Sequence, residues 1–213
     1  MSKSKKNFPD PSILFEKYGV DVLRFYLMST VVMKGENLNF SESQVGELYQ
    51  KIIQILWNIF SFYKLYVRSV QVLDDKIEVS LTHVLDKWIV SRTQTLIKTT
   101  TQSMDHYDTI AYCRSIQDFI DELSTWYLRR SRDRFKEDPK SMGVFGWVLK
   151  KLLLVMAPVT PFMTEVMYQN LNGGKSLHLE DWPGFDEKLI DSKLENQMNL
   201  ARKIVVIAHA KRK

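Results

Sequence analysis

One long apolar stripe constrains the fold more than any other feature of this sequence. Between residues 45 and 63, apolar side chains recur at the three- and four-residue spacing of a single helix face. The stripe consists of Val45, Leu48, Tyr49, Ile52, Leu56, Ile59, Phe60 and Tyr63. Glycine and proline, which interrupt helices, number only eight and six in 213 residues. A helix of this kind buries its stripe against other helices, so we expect an all-α fold, an antiparallel helical bundle.

Helix start and stop residues extend this prediction to the rest of the chain. A short helix is expected to end at Gly19, and Asp21 is expected to cap a second helix. Ser41 and Gln44 have the spacing of a capping box before the long stripe. Further helices are predicted over about residues 82–107, from the cap Asp108 to Tyr127, over 143–157, from the cap Thr160, and from about Leu189. A polar break is expected near Asp74–Ser80, and Ser176–Leu179 is expected to be a short extended segment. Trp57 and Trp88 are interpreted as core residues.

Composition excludes several classes of protein. The chain is 45% hydrophobic and 26% charged, which is ordinary for a globular domain. A lone cysteine, Cys113, allows neither an internal disulfide nor a multi-cysteine zinc site, and the four histidines lack metal-ligand spacing. We therefore expect no metal site, no membrane partner and a cytoplasmic location. The net charge of +5 permits a polyanionic partner without requiring one.

The first residues combine basic and hydroxyl side chains. By itself, Met1-Ser2-Lys3-Ser4-Lys5-Lys6-Asn7 is typical of a frayed terminus, a targeting signal or a loose nucleic-acid tail. The segments behind it change this interpretation. They are Pro9-Asp10-Pro11, Tyr18-Gly19-Val20-Asp21 and Leu23-Arg24-Phe25-Tyr26-Leu27.

This order of segments resembles the Lys-Met-Ser-Lys-Ser loop and stem-contact region of class I aminoacyl-tRNA synthetases. Later segments narrow the resemblance to the isoleucyl-tRNA synthetases: they are Leu85–Arg92, Trp126–Phe135, Ala157–Phe162 and Ser176–Pro183. The resemblance divides the chain into a loop and stem-contact region (1–40), an anticodon-binding helical bundle (41–186) and the start of a truncated C-terminal helical region (187–213). It also implies that the chain is a C-terminal fragment beginning at the loop.

The resemblance implies a parent enzyme that joins isoleucine to tRNA(Ile) using ATP and Mg. In that enzyme Lys3 is the expected catalytic residue, because an ammonium group neutralises charge on the departing pyrophosphate. Met1, Ser2, Lys3 and Ser4 together form the expected ATP-binding loop. The nucleotide-binding sheet with its His-x-Gly-His motif is missing from this sequence, so we expect the chain alone to bind no cofactor and no isoleucine, and to be catalytically inactive.

A cluster of arginines is the predicted tRNA-binding site: Arg129, Arg130, Arg132 and Arg134. Arginine suits this role because its planar guanidinium binds phosphate and stacks on unpaired bases. The alternative is a solvated helix end whose cations pair with Asp133 and Glu137. Trp126 and Phe135 are further candidates for base stacking, whereas Tyr127 lies on an apolar stripe and is expected in the core.

Two rival interpretations remain open at this point. The same region of a valyl- or leucyl-tRNA synthetase has a similar order of segments. A helical protein-interaction domain with no RNA role would also carry a modest positive charge and no complete active site. DNA is not an expected partner in either case.

Overall fold

The computed structural model describes residues 11–66, 81–171 and 174–211, and within these ranges all regular structure is helical. This confirms the all-α prediction. The α-helices are α1 (Pro11–Tyr18), α2 (Val20–Met28), α3 (Glu42–Leu48), α4 (Ile55–Tyr66), α5 (Val84–Asp105), α6 (Thr109–Asp121), α7 (Arg129–Ser131), α8 (Arg134–Glu137), α9 (Pro139–Met156), α10 (Pro161–Leu171) and α11 (Ser192–Ala210). Segments of π-helix cover Tyr49–Gln54 and Glu122–Leu128, and 3₁₀ turns cover Val31–Lys34, Leu177–Leu179 and Glu187–Leu189. Ser176–Leu179 is thus a helical turn rather than an extended segment.

The long apolar stripe forms one continuous rod, in which the π-helical segment Tyr49–Gln54 joins α3 to α4. Its members Val45, Ile52, Leu56 and Ile59 are buried, as predicted. Trp57 is 47% exposed, so its assignment to the core was wrong. It lies about 100° around the helix from Leu56 and so faces away from the stripe. The predicted break at Asp74–Ser80 lies outside the described residues.

The main core is centred on α5, which packs against both α6 and α9. Trp88 on α5 is 1% exposed, which confirms its prediction. Cys113 on α6 is buried, and this burial raises the pKa of its thiol to about 12. Five aromatic side chains pack together where α4, the π-helical segment Glu122–Leu128, α8 and α9 meet. They are Phe62, Tyr63, Tyr127, Phe135 and Phe145. Tyr127 is therefore a core residue, as expected.

Side-chain caps explain where α5, α6, α9 and α11 begin. His83, Asp108 and Asp191 accept hydrogen bonds from the first amides of α5, α6 and α11. Asp138 does the same for α9 through the Lys140 amide, at 3.0 Å. This cap, followed by a proline at the first helical position, makes α9 begin at residue 139, four residues earlier than expected.

The predicted capping box at Ser41 is only half formed. The Ser41 hydroxyl accepts from the Gln44 amide at 3.4 Å, as expected. The Gln44 side chain does not return to the Ser41 amide, which donates to the Tyr26 hydroxyl at 3.3 Å. Tyr26 in turn donates to Gln44 Oε1, also at 3.3 Å. A tyrosine from α2 therefore completes the cap of α3 and ties the two helices together.

The turn between α9 and α10 is held by two charged residues of α2. Arg24 donates to the carbonyl oxygens of Pro158 and Val159, at 2.9 and 3.3 Å. Asp21 accepts from the amides of Phe162 and Met163 at the start of α10, at 3.4 and 2.7 Å. A cation thus meets the carbonyls that follow one helix, and a carboxylate meets the free amides of the next. This contact joins residues 20–28 to the main bundle.

Two sequence expectations are corrected at this joint. Asp21 does not cap its own helix, because Gly19 occupies the N-cap position of α2 with a φ of 86°. Thr160 does not cap α10 through its side chain, since its hydroxyl donates back to the Met156 carbonyl at 3.2 Å. Asp21 performs that function from another helix, which sequence spacing alone does not reveal.

Removing the Asp21 carboxylate should weaken the joint. We expect Asp21→Ala to lower the free energy of unfolding by about 1 kcal/mol at pH 7, the typical value of an N-cap, and Asp21→Asn to lower it by less because one acceptor oxygen remains. Urea denaturation of both variants measures the difference. Unchanged stability in Asp21→Ala would show that the hydrogen bonds to α10 contribute little.

The same variants predict a pH dependence. Burial is the largest influence on Asp21 and raises the pKa of this carboxyl above its ordinary 3.8, although the two amide hydrogen bonds oppose the shift. A raised carboxyl pKa stabilises the fold below the unfolded value, and this contribution is lost as the pH rises through the folded value. The stability advantage of the wild type over Asp21→Asn should therefore be larger near pH 4 than at pH 7. A constant difference at both pH values would contradict the raised pKa.

Candidate nucleic-acid interface

The arginine cluster lies where the π-helical segment Glu122–Leu128 runs into α7 and α8. Arg129, Arg130 and Arg132 are exposed, whereas Arg134 is half-buried. Asp133, which was considered as their partner, is 3.6 Å from Lys136 instead. Among the described residues, no carboxylate forms an ion pair with the three exposed arginines. The cluster therefore contains three exposed arginines without an acidic partner in the described residues and one half-buried arginine.

Arg134 belongs to a buried polar network centred on Asp86 of α5. Its two terminal nitrogens lie 2.5 and 2.7 Å from the two carboxylate oxygens of Asp86. The Tyr127 hydroxyl donates to the same carboxylate at 2.8 Å, and Arg134 also donates to the Ser131 hydroxyl at 3.1 Å. The hydrogen bond to Asp86 raises the pKa of Arg134, and burial raises the pKa of Tyr127. The guanidinium of Arg134 is thus held inside the fold by Asp86 and Ser131.

Arg130 lies over the ring of Trp126. The central carbon of its guanidinium is 3.2 Å from the centroid of the Trp126 ring. Trp126 is only 8% exposed, and its indole N–H lies 3.0 Å from the sulfur of Met198 on α11. Trp126 is therefore buried beneath Arg130, and the exposed group at this position is the Arg130 guanidinium. Partial burial, together with repulsion from Arg129 and Arg202, lowers the pKa of Arg130.

Arg132 has an aromatic neighbour instead of an acidic one. Its guanidinium carbon is 5.6 Å from the Phe62 ring centroid. Arg129 has no such ring contact in the described part of the chain, and it lines the same groove as Arg130. The three exposed arginines consequently keep an uncompensated positive charge on this end of the bundle.

Helix α11 is held beside this cluster by ionic contacts. Arg92 on α5 lies 2.8 Å from Glu122 and 3.1 Å from Glu195, the latter on α11. Arg202 on α11 lies 2.8 Å from Glu122 and 3.0 Å from Asp121. Burial acts to lower the pKa of Arg92, but the two glutamates outweigh it and the pKa is raised. Because these charges are matched, α11 has a fixed position against the bundle.

A groove of about 910 Å³ separates α11 from the π-helical segment. Its walls are formed by Asp121, Thr125, Trp126, Arg129, Arg130, Asn199, Arg202, Lys203, Val205, Val206, Ile207 and His209. The α11 residues were not predicted as part of a site. The basic residues that begin at Arg202 were the available signal, but the sequence alone does not show that they face the arginine cluster.

The predicted ATP-binding residues Met1, Ser2, Lys3 and Ser4 lie outside the described residues. In the ranges that the structure describes, no group of acidic, histidine or cysteine side chains is arranged to hold a metal ion. Within the same ranges, no helix combines the length and the apolar character required for a membrane span.

Comparison with known sequence families identifies the bundle. The family described as "Anticodon-binding domain of tRNA ligase" matches residues 86–213. The chain belongs to this family of anticodon-binding domains. The family described as "tRNA synthetases class I (I, L, M and V)" matches residues 1–39 of the same chain. The segment that matches the class I family thus precedes the anticodon-binding domain in this sequence, in the predicted order.

Relatives of this anticodon-binding domain chain include several isoleucine–tRNA ligases. The enzyme of Clostridium novyi is 40% identical over 228 residues, which cover 100% of this chain and 22% of that protein. The enzyme of Protochlamydia amoebophila is 35% identical over 222 residues, which cover 100% of this chain and 21% of that protein. The chain thus spans about a fifth of the length of these relatives. They confirm the resemblance to the isoleucyl branch.

A solved structure confirms the fold. A leucyl-tRNA synthetase from Agrobacterium radiobacter, in a ternary complex with tRNA and LeuAMS, superposes with a TM-score of 0.64 at 21% identity. The match covers 90% of the anticodon-binding domain chain and 23% of the leucyl enzyme.

The two kinds of arginine should respond differently to truncation. We expect Arg134→Ala to lower the free energy of unfolding by about 3 kcal/mol, because it leaves the Asp86 carboxylate buried without its cation. Arg132→Ala, which removes an equal charge from the exposed surface, should change it by less than about 0.5 kcal/mol. Chemical denaturation tests this contrast. Similar losses in both variants would show that the Asp86–Arg134 pair is not a major support of the fold.

Proposed function

We propose that this chain is the tRNA-binding, anticodon-domain part of an isoleucine–tRNA ligase. The observation that carries the proposal is the family of anticodon-binding domains matched by residues 86–213, in a chain aligned along its whole length with isoleucine–tRNA ligases. The uncompensated arginines beside α11 supply the chemistry that an RNA partner requires, namely cations free to meet phosphate. In the parent enzyme the partner is tRNA(Ile).

The parent enzyme, on this proposal, attaches isoleucine to tRNA(Ile) with ATP and Mg in the cytoplasm. The class I family match at residues 1–39 supports the use of ATP. Lys3 would stabilise charge on the leaving pyrophosphate, and Met1, Ser2 and Ser4 would complete the loop around ATP. These steps require the catalytic domain of the parent, so the chain alone is proposed to bind tRNA without performing the reaction.

The proposed tRNA-binding set is narrower than the sequence cluster. Arg129, Arg130 and Arg132 are exposed and without acidic partners among the described residues, so their contact with phosphate breaks no existing ion pair. Arg134 is left out, because binding RNA would require it to leave the buried Asp86 carboxylate. Its proposed role is to hold α8 against α5 and so to support the surface from beneath.

Three units are proposed along the chain, with the boundaries 1–40, 41–186 and 187–213. A small apolar cluster joins the first unit to the second across their boundary, because Val22 and Tyr26 of α2 pack there with Val45 of α3. The last unit contains α11, which has no buried residue. It is held against the main bundle by its ion pairs and by the partly buried side chains of Leu194, Met198 and Val205. The Asp21–Arg24 joint is proposed to fix the stem-contact region to the bundle.

Titration with tRNA tests the proposed function. Because the binding is expected to be largely electrostatic, the affinity for tRNA(Ile) should fall steeply between about 50 and 200 mM salt. Arg129→Ala and Arg132→Ala should each weaken binding and reduce the slope of log K against log salt concentration by about 0.7–0.9. Fluorescence anisotropy of labelled tRNA measures both quantities.

Lys98→Ala is the matched control, because it removes the same charge from the middle of α5, where Lys98 pairs with Glu187 at 2.8 Å. Lys98 is twelve residues along α5 from Asp86, the residue that Arg134 contacts, and this separation corresponds to about 18 Å. We expect it to leave both the affinity and the salt slope nearly unchanged. If the wild-type chain bound no tRNA even at low salt, the RNA-binding proposal would be wrong, and a protein-interaction domain would be favoured.

A further inference from the structure

We propose that residues 184–211 form a C-terminal strap that opens from the helical bundle as one unit while the rest of the bundle stays folded. The strap consists of the 3₁₀ turn Glu187–Leu189, helix α11 and the residues that flank them. Opening hinges at Gly184 and separates α11, with its Lys203, from the arginine cluster on the other wall of the groove. This motion goes beyond the proposed function, because it is a property of the fold and needs no RNA partner.

Burial distinguishes the strap from the main bundle. Between Gly184 and Lys211 no residue is buried, whereas the main core contains buried side chains from α4, α5, α6, α9 and α10. Only partly buried side chains connect the strap to that core, and they are Leu189, Leu194, Met198, Ala201 and Val205. Segments with few buried apolar contacts open at a lower free energy than the core does. Apolar packing thus holds the strap more weakly than it holds the bundle.

Polar side chains of α5 hold the first part of the strap. They are spaced three and four residues apart, so they lie on one face of the helix. Their partners are Asp191 for Ser91, Asp186 for Gln94 and Glu187 for Lys98, each at 2.8 Å. When the strap opens, water can replace these partners, since hydroxyl, amide and ammonium groups all form hydrogen bonds with water. Uncovering these side chains exposes polar rather than apolar surface, so the hydrophobic cost of opening is small.

Ion pairs hold α11 near its start and near its middle. Glu195 lies 3.1 Å from Arg92 and accepts from the Thr95 hydroxyl at 2.8 Å. Arg202, further along α11, lies 2.8 Å from Glu122. Arg92 and Glu122 both belong to the bundle and lie 2.8 Å apart, so they keep each other as partners when α11 leaves. Opening therefore leaves a matched pair in the bundle, which costs less free energy than leaving one buried charge alone.

The residues just before the strap set the position of its hinge. Pro183 is buried, and the indole N–H of Trp182 donates to the Thr101 hydroxyl at 2.8 Å. Gly184 follows directly and is exposed, and beyond its chain neighbours no heavy atom lies within 4 Å of the position that a Cβ would take. A glycine in open space permits the backbone rotation that a hinge requires. The chain is thus anchored as far as Pro183 and free to rotate at Gly184.

Hydrogen exchange of the whole chain, measured by mass spectrometry, tests the opening. We expect the amides over the whole length of α11 to share one opening rate and to exchange at least about tenfold faster than those of α5 and α6. Their exchange should also depend less on low concentrations of urea, because opening the strap exposes less surface than unfolding the bundle. Protection that falls gradually toward the end of α11 would indicate fraying and would overturn the inference, as would equal protection of α11 and α5.

Two glutamate variants test whether the strap opens as a unit. Glu195→Gln weakens the contact with Arg92, so all α11 amides, including those near Ala208, should exchange about tenfold faster while α5 and α6 keep their rates. Glu47→Gln is the matched control, since it removes the same charge from an exposed pair with Lys51 at 3.1 Å. It should change the exchange of α11 by less than about twofold. An effect of Glu195→Gln confined to the neighbouring turn, or an equal acceleration of α5 and α6, would contradict opening as a unit. Circular dichroism verifies that both variants keep the helical fold.

Discussion

The carboxylate of Asp86 is the interaction on which both the core and the surface of this bundle depend. It is 5% exposed and receives the Tyr127 hydroxyl from one side and the guanidinium fork of Arg134 from the other. Through these contacts it connects α5, the π-helical segment Glu122–Leu128 and α8. A buried carboxylate is costly unless its hydrogen-bonding capacity is filled, so these three elements are constrained to meet in one geometry. That geometry leaves the other arginines of the cluster on the outside.

Charged side chains also fix the contact between α2 and the turn that joins α9 to α10. Asp21 and Arg24 lie on one helix, and each satisfies backbone groups that a helix end leaves without partners. Apolar packing alone would allow α2 to slide along the turn between α9 and α10. Directed hydrogen bonds to specific carbonyls and amides fix its position. Helix α2 is thereby oriented with respect to the bundle by polar contacts, and the fold is maintained by its apolar core.

Sequence periodicity predicted most of the helices because helix-forming patterns act locally. The stripe from Val45 to Tyr63 and the cap at Asp108 depend on residues within one or two turns of each other, and both were confirmed. Asp21 and Tyr26 were misinterpreted or missed because their partners, Met163 and Ser41, come from other helices. Trp57 was misassigned because tryptophan is usually buried, although its position on the helix faced away from the stripe.

The arginine cluster shows why a helical wheel cannot separate exposed cations from those held inside the fold. On an ideal helix Arg130 and Arg134 are about 40° apart and share a face. In this chain the helix is interrupted between Ser131 and Arg134, so Arg134 turns toward Asp86 while Arg130 stays against Trp126. A π-helical segment immediately before the cluster also changes the angular relation of residues 129–131 to α6. The four arginines are therefore identical in residue type and close in sequence, yet only those that the backbone directs away from Asp86 remain available to a polyanion.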